Sequence, residues 1–354
     1  MNVIADEIKL KQDALAYRVC EKIKELKLGD SAVLYYNFPL YRGDLPEDLI
    51  QAQLLLASPI YGILYFKCIE SNRYLTEDEE IYLDNLDVSI FNRLNKRSEL
   101  RKTRRELKFN VAPIIVADKD EIVNDKKYVS LPNLKQAIED NKTTVLNDEE
   151  YNILLSCIDG TSRLTTKKER KTSFNEESKL KADILNRIQN KEAAFDLEQK
   201  KVALVTIDGP QRIRGLAGSG KTIILTMKAA LYHMAHPNEE ILYTYYTKSL
   251  FGLIKNLIER FYRDFADNRE PDWKKIHILH GWGGLELGGV YSTACTDNGI
   301  EPITYNIARL HSPNPFDYVC HSILETGKIT PKYDLTLIDE GQDFPDHFYQ
   351  LCYA

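Results

Sequence analysis

Between residues 5 and 27 (ADEIKLKQDALAYRVCEKIKELK), Ile8, Ala14, Leu15, Val19, Ile23 and Leu26 recur near helical spacing with charges between them, which predicts an amphipathic helix. The texture changes after Gly29-Asp30. Ser31 to Phe38 (SAVLYYNF) and Leu54 to Cys68 (LLLASPIYGILYFKC) are rich in β-branched and aromatic residues, and Ser58-Pro59-Ile60-Tyr61-Gly62 interrupts the second run. A strand and then a hairpin are expected there. Residues 76 to 108 read as one highly charged helix ending in Lys96, Arg97, Arg101, Lys102, Arg104 and Arg105, and Val111 to Ala117 (VAPIIVA) as a buried strand. Together these predict a small α/β domain over residues 1–155. Residues 156–194 read as a basic linker, in which TSRLTTKKERKTS holds Arg163, Lys167, Lys168, Arg170 and Lys171 against Glu169 alone. Such a run is more often solvated than bound. From 195 to 354 the order becomes strand, glycine loop, helix, strand, helix and a final apolar strand, the signature of a parallel sheet covered by helices on both faces.

Composition narrows the class without naming it. The 354 residues are 43% hydrophobic and 28% charged, material for two globular domains and their cores. No run approaches the roughly 18 consecutive apolar residues of a membrane span, and MNVIADEIKLKQ mixes acids and bases where a secretory signal needs an apolar stretch, so a soluble, cytoplasmic protein with no membrane partner is expected. Cys20, Cys68, Cys157, Cys295, Cys320 and Cys352 are scattered without a C-x-x-C, which indicates neither a zinc site nor a disulfide framework. The net charge of -6 argues against bulk coating of nucleic acid but leaves room for a local basic groove.

Chemistry enters at Gly215-Leu216-Ala217-Gly218-Ser219-Gly220-Lys221-Thr222, which fits G-x-x-x-x-G-K-[ST] without a mismatch. Glycines let backbone N–H groups wrap phosphates. Lys221 can reach β/γ oxygens, and the Thr222 hydroxyl can ligate Mg²⁺ at a helix N-terminus. An apolar approach ending at Ile213 precedes the loop and TIILTMKAALYHMA follows it, a strand-loop-helix context. About 120 residues downstream, DLTLIDEGQDF is an apolar strand that delivers carboxylates at its C-terminal end, where parallel sheets bind ligands. Asp339 would hold Mg²⁺ through water, and Glu340 would orient and deprotonate an attacking water.

Asp339-Glu340-Gly341-Gln342-Asp343-Phe344 resembles the DEAQDF form of motif II in superfamily 1 helicases of the UvrD/Rep type, with Gly341 where Ala is usual. The resemblance implies a RecA-like P-loop ATPase lobe using ATP and Mg²⁺, in which Gln342 senses the γ-phosphate. Phe195-Asp196-Leu197-Glu198-Gln199 is similar to the Q motif of that family, which would set Gln199 on the adenine edge. ILYTYYTKSL (241–250) looks like motif Ia, and Ile278-Leu279-His280-Gly281-Trp282 like the T-F-H-type motif. Tyr245, Tyr246 and Trp282 would stack on bases of single-stranded DNA or of a single/double-strand junction, while Thr244, Thr247, Lys248 and His280 would bind phosphates. Core packing is the alternative for each aromatic. The family builds its ATP site between two lobes, and the sequence runs only from Glu340 to Ala354 beyond motif II. The expectation is therefore the N-terminal part of a longer motor, weak or inactive in hydrolysis without the second lobe.

Residues 31 to 70 resemble, more weakly, the nuclease-related domains of the PD-(D/E)XK, restriction-endonuclease-like fold that precede some helicases. In such sites an acid and an E-x-K gather Mg²⁺. Here Gln53 stands where the acid would, and Lys67-Cys68-Ile69 where E-x-K would, with Asp44, Glu47, Asp48 and Glu70 off the spacing. A degenerate domain with a scaffold or partner-protein role is expected. Two other readings stay open, namely an ATP-binding regulatory or assembly module of a nucleic-acid-processing or defence complex, and an active nuclease-helicase.

Overall fold

The computed structural model describes residues 1–42, 49–70, 73–143, 145–161, 197–205, 209–216, 218–284 and 288–354. The basic run at 162–171, Ala217, and the acids Asp44, Glu47 and Asp48 fall outside these residues. Two compact units are present, one of Met1–Arg212 with Asp264–Asp267, the other of Ile213–Arg263 with Asn268–Ala354. Both are mixed α/β. Among the described residues no helix is long and apolar enough to cross a membrane.

In the first unit, strands β1 (Asn2–Ile4), β2 (Val33–Tyr36), β3 (Leu40–Arg42), β4 (Leu49–Gln51), β5 (Leu54–Ser58) and β6 (Gly62–Cys68) follow and flank helices α1 (Glu7–Gln12) and α2 (Ala14–Glu25). Helix α3 (Glu77–Asn95) leads to β7 (Arg101–Thr103), β8 (Glu106–Leu107), β9 (Val111–Ala117), β10 (Glu121–Val123) and β11 (Lys126–Ser130), then to α4 (Leu134–Glu139), α5 (Asp148–Ile158) and α6 (Leu197–Leu204). Seven strands form one sheet in the order β1-β2-β5-β6-β9-β11-β10, with parallel and antiparallel pairs in equal number. Leu15, Ala16, Val19, Cys20 and Ile23 lie at i, i+4 and i+8 spacing on α2, and that stripe is buried with Leu34, Leu56, Leu64 and Phe66 of the sheet.

The long charged helix expected over 76–108 stops at Asn95. Thr76 and Glu79 start it with a reciprocal capping box. Beyond it Leu100 is fully buried, and residues 101–107 turn into a two-stranded hairpin. On a continued helix Arg101, Lys102, Arg104 and Arg105 would meet at i,i+3 and i,i+4, like charge against like. The hairpin spreads them.

The second unit carries α7 (Lys221–Ala235), β12 (Ile241–Tyr245), α8 (Phe251–Phe265), β13 (Ile276–His280), α9 (Val290–Asp297), α10 (Tyr305–His311), α11 (Pro315–Glu325), β14 (Leu335–Ile338) and α12 (Asp346–Tyr353). Its sheet has the order β13-β12-β14, all parallel. Every residue of the central strand β12 is buried, as a strand covered on both faces requires. Of the strand expected before the glycine loop, the described residues 209–216 have no regular secondary structure, and 206–208 lie outside the described residues. Exposed Gln211, Arg212 and Arg214 flank Ile213, and that segment lacks the continuous apolar run of a doubly covered strand.

Candidate functional site

Parallel pairing puts the carboxyl ends of three strands on one edge. The register matches Tyr245 with His280 and Thr244 with Ile338, and the Asp339 amide donates to the Thr244 carbonyl at 2.9 Å. The residues that leave β12, β13 and β14 therefore emerge together, where open parallel sheets take their ligands.

The glycine loop reaches the same edge at Thr222, whose side chain lies beside the Asp339 carboxyl and helps to hold its proton affinity down. Gly218 and Gly220 both lie in the left-handed region, with φ of 76° and 75°. At Gly215 a Cβ would stand 2.4 Å from the Ser219 hydroxyl. A side chain would strain the backbone at Gly218 and Gly220, and at Gly215 it would have to displace the Ser219 hydroxyl. Gly220 opens α7 with no side-chain cap, which leaves the first N–H groups of a 15-residue helix open to an anion. The Lys221 ammonium rests on the Gly215 and Leu216 carbonyls at 3.4 and 3.2 Å.

Asp339 is fully buried and supplied with donors: Tyr243 Oη lies 3.2 Å from Oδ2 and the Glu340 amide 3.0 Å from Oδ1, with the Thr222 side chain beside the carboxyl. Burial pushes the Asp339 carboxyl up from its usual range, and Thr222 and Tyr243 work against that. Burial beside this carboxylate drives the Tyr243 phenol well above its ordinary value, so Tyr243 serves as a donor only. Tyr243 is a site residue that sequence reasoning missed; inside ILYTYYTK nothing separates it from its neighbours.

Glu340 follows in the left-handed region at φ 50° and ψ 46°, a conformation that costs a residue with a Cβ roughly 1–2 kcal/mol. Its carboxylate accepts from Gln342 Nε2 at 2.6 Å. The turn is also held from outside, because the Tyr349 hydroxyl of α12 donates to the Gly341 carbonyl. A Cβ at Gly341 would lie 2.6 Å from that hydroxyl oxygen, which accounts for glycine where the resembling motif has alanine. We therefore expect Gly341→Ala to cost about 1 kcal/mol of stability through the displaced hydroxyl, and Gly341→Ala/Tyr349→Phe to recover most of it. Urea unfolding of the two single variants and the double variant measures the coupling.

The residues expected to meet nucleic acid divide sharply. Tyr246, Thr247 and Lys248 are exposed just past β12. Thr244 and Tyr245 are fully buried within that strand, where the alternative of core packing places them. His280 is engaged: its Nδ1 accepts from the Trp282 and Gly283 amides, both at 3.2 Å, and its Nε2 donates to the Tyr246 carbonyl at 2.7 Å. Burial and Lys248 lower its affinity for a proton against the pull of that carbonyl. The ring ties the loop after β12 to the loop after β13. Trp282 is half-buried, stacked on Phe316 with centroids 5.3 Å apart and edged by Tyr305 at 5.7 Å. Gln199 stands half-buried on α6, which clusters with the first unit although the sequence reading opens the second domain at 195.

In the first unit, Gln53 occupies a structural position. Its Nε2 donates to Asp13 Oδ2 at 2.9 Å and its Oε1 accepts from the Cys68 amide at 2.8 Å. Lys67 pairs with Glu79 at 3.1 Å, and Arg73 holds the Glu79 carboxyl down at about 2. Among the described residues no group of three or more His, Cys, Asp or Glu is arranged to hold a metal ion.

No family model, curated protein or solved structure matches the chain.

Proposed function

We propose that the second unit is the Mg·ATP-binding lobe of a UvrD-like superfamily 1 DNA helicase or translocase. The observation that carries this reading is the fully buried Asp339 at the carboxyl edge of a parallel sheet, with Thr222 beside it in the first turn of the helix that the glycine loop opens without a side-chain cap. A hydroxyl beside a carboxylate suits a small hard cation that takes its other ligands from phosphate and water. Bound Mg·ATP supplies the anhydride to be cleaved and the cation that shields its charge. The loop amides and Lys221 hold the phosphates, and Thr222 with Asp339 hold the cation. Glu340 takes the proton from the attacking water, and Gln342 fixes the Glu340 carboxylate at the edge where the terminal phosphate would lie. Completion of hydrolysis calls for further cationic groups, which the resemblance assigns to a second lobe. Tyr246, Thr247 and Lys248 are the surface offered to single-stranded DNA.

A second reading, an ATP-occupied regulatory or assembly module, is favoured by the burial of Thr244 and Tyr245 and the engagement of His280, which shorten the expected DNA track. The ties of Gln53 and Lys67 weigh against the nuclease-helicase reading.

Calorimetric titration of the chain with ATP in Mg²⁺, in EDTA, and in Mg²⁺ with a single-stranded oligonucleotide tests the proposal. Binding that strengthens with Mg²⁺ and again with the oligonucleotide is expected, and Thr222→Ala should erase the Mg²⁺ effect. Absence of ATP binding refutes the nucleotide site. Binding indifferent to the oligonucleotide transfers the case to the regulatory module.

A further inference from the structure

The net charge of the chain is -6, yet residues 96–108 (KRSELRKTRRELK) hold seven bases against Glu99 and Glu106. In the structure this basic segment is the β7–β8 hairpin and its approach. Its base is tightly fixed. Leu100 is fully buried, the Lys108 amide donates to the Leu100 carbonyl at 2.9 Å, Arg101 Nε donates to the Asn95 carbonyl, and Asn95 Nδ2 donates to the Arg104 carbonyl at 3.3 Å.

The bases are not equally free. Lys96 and Lys108 are engaged by Asp267 and Glu150, and Arg101 by the Asn95 carbonyl. Arg97 lies against Cys157. That leaves Lys102, Arg104 and Arg105, whose side chains are exposed and have no ion-pair partner among the described residues. Three unpaired cations within four residues of a braced turn repel one another and gain from a polyanion that brings phosphates at close spacing. The chemistry of the segment selects which polyanion. No aromatic residue occurs between 96 and 108, so the stacking platform that holds single strands is missing. Its two leucines are buried or half-buried, so there is no apolar wedge for a lipid surface. A two-stranded ribbon carrying cations on its exposed turn matches the backbone and groove dimensions of a duplex.

We propose that this hairpin docks on the phosphate backbone of double-stranded nucleic acid, without reading sequence, through Lys102, Arg104 and Arg105. The inference stands apart from the nucleotide site and needs none of its residues.

The test is fluorescence anisotropy of the full chain with a labelled mixed-sequence DNA duplex between 50 and 200 mM KCl, beside a single strand of the same length and phosphatidylserine vesicles. The variant Lys102→Gln/Arg104→Gln/Arg105→Gln replaces exposed side chains only, and its circular dichroism and melting curve should match those of the parent. Each lost phosphate contact lowers the slope of log affinity against log salt by about 0.9, so the variant should lose nearly 3 units of slope. Across that salt range the affinity of the parent should fall about 40-fold more than that of the variant. Lys221→Ala should leave duplex binding unchanged, which separates this site from the nucleotide site. An unaltered slope in the folded triple variant overturns the proposal. So does a single strand or a vesicle surface bound as tightly as the duplex and equally sensitive to the three substitutions.

Discussion

Lys221→Ala should weaken Mg·ATP binding by about 30- to 150-fold, the equivalent of one charge-assisted contact of roughly 2–3 kcal/mol, while leaving the melting curve in place. The separation of the two effects follows from what Lys221 touches. Its ammonium lies at 3.4 and 3.2 Å from the carbonyls of Gly215 and Leu216, which belong to exposed residues that water solvates once the amine is gone. The ammonium therefore contributes little to folding and is available to a phosphate. Lys221→Arg should fare little better, since a planar guanidinium cannot take the place of a compact point charge inside a loop closed by three glycines. Calorimetric titration and a thermal melt on the same samples check both halves. Unchanged affinity would remove the phosphates from the loop. A collapse in melting temperature would make Lys221 a structural residue.

What could be read in the chain before its structure was the part that depends on spacing along one element. The loop at 215–222 and the carboxylates at 339–340 each occupy a short segment, and on the proposed reading their types are those that a phosphate and a cation demand. The i, i+4 stripe of α2 was legible for the same reason. The reading blurred where tertiary packing decides. In ILYTYYTK, Tyr243, Tyr245 and Tyr246 look alike, yet the first donates to Asp339, the second is buried, and only the third meets solvent. A central parallel strand is apolar on both faces, so no alternation exists to separate them. The basic segment after Asn95 kept helical composition and became a hairpin, because one buried side chain, Leu100, turns the chain inward. The lock of Tyr349 on Gly341 spans eight residues and depends on where α12 begins, which no local pattern announces.

Glu340 is the residue on which stability and chemistry should part. Glu340→Gln keeps the volume and an acceptor for Gln342 but removes the base, so hydrolysis measured with the proposed second lobe present should fall by about 10²- to 10⁴-fold while ATP binding holds. Glu340→Gly goes further. At φ 50° and ψ 46° the native side chain strains the backbone, and glycine relieves that strain. The glycine variant should be as stable as the parent or more stable by up to about 1 kcal/mol, despite the greater freedom of its unfolded chain, and equally inactive. Such a pair of results would mean that the end of β14 holds a strained glutamate for its carboxylate and not for the fold. Urea unfolding and quenched-flow hydrolysis measured side by side decide the matter. A glycine variant that loses stability would show that the Gln342–Glu340 bond at 2.6 Å contributes more to the fold than the strain costs. A glutamine variant that loses ATP binding along with turnover would assign Glu340 to holding the nucleotide, and the role of base would have to be sought elsewhere on the same edge.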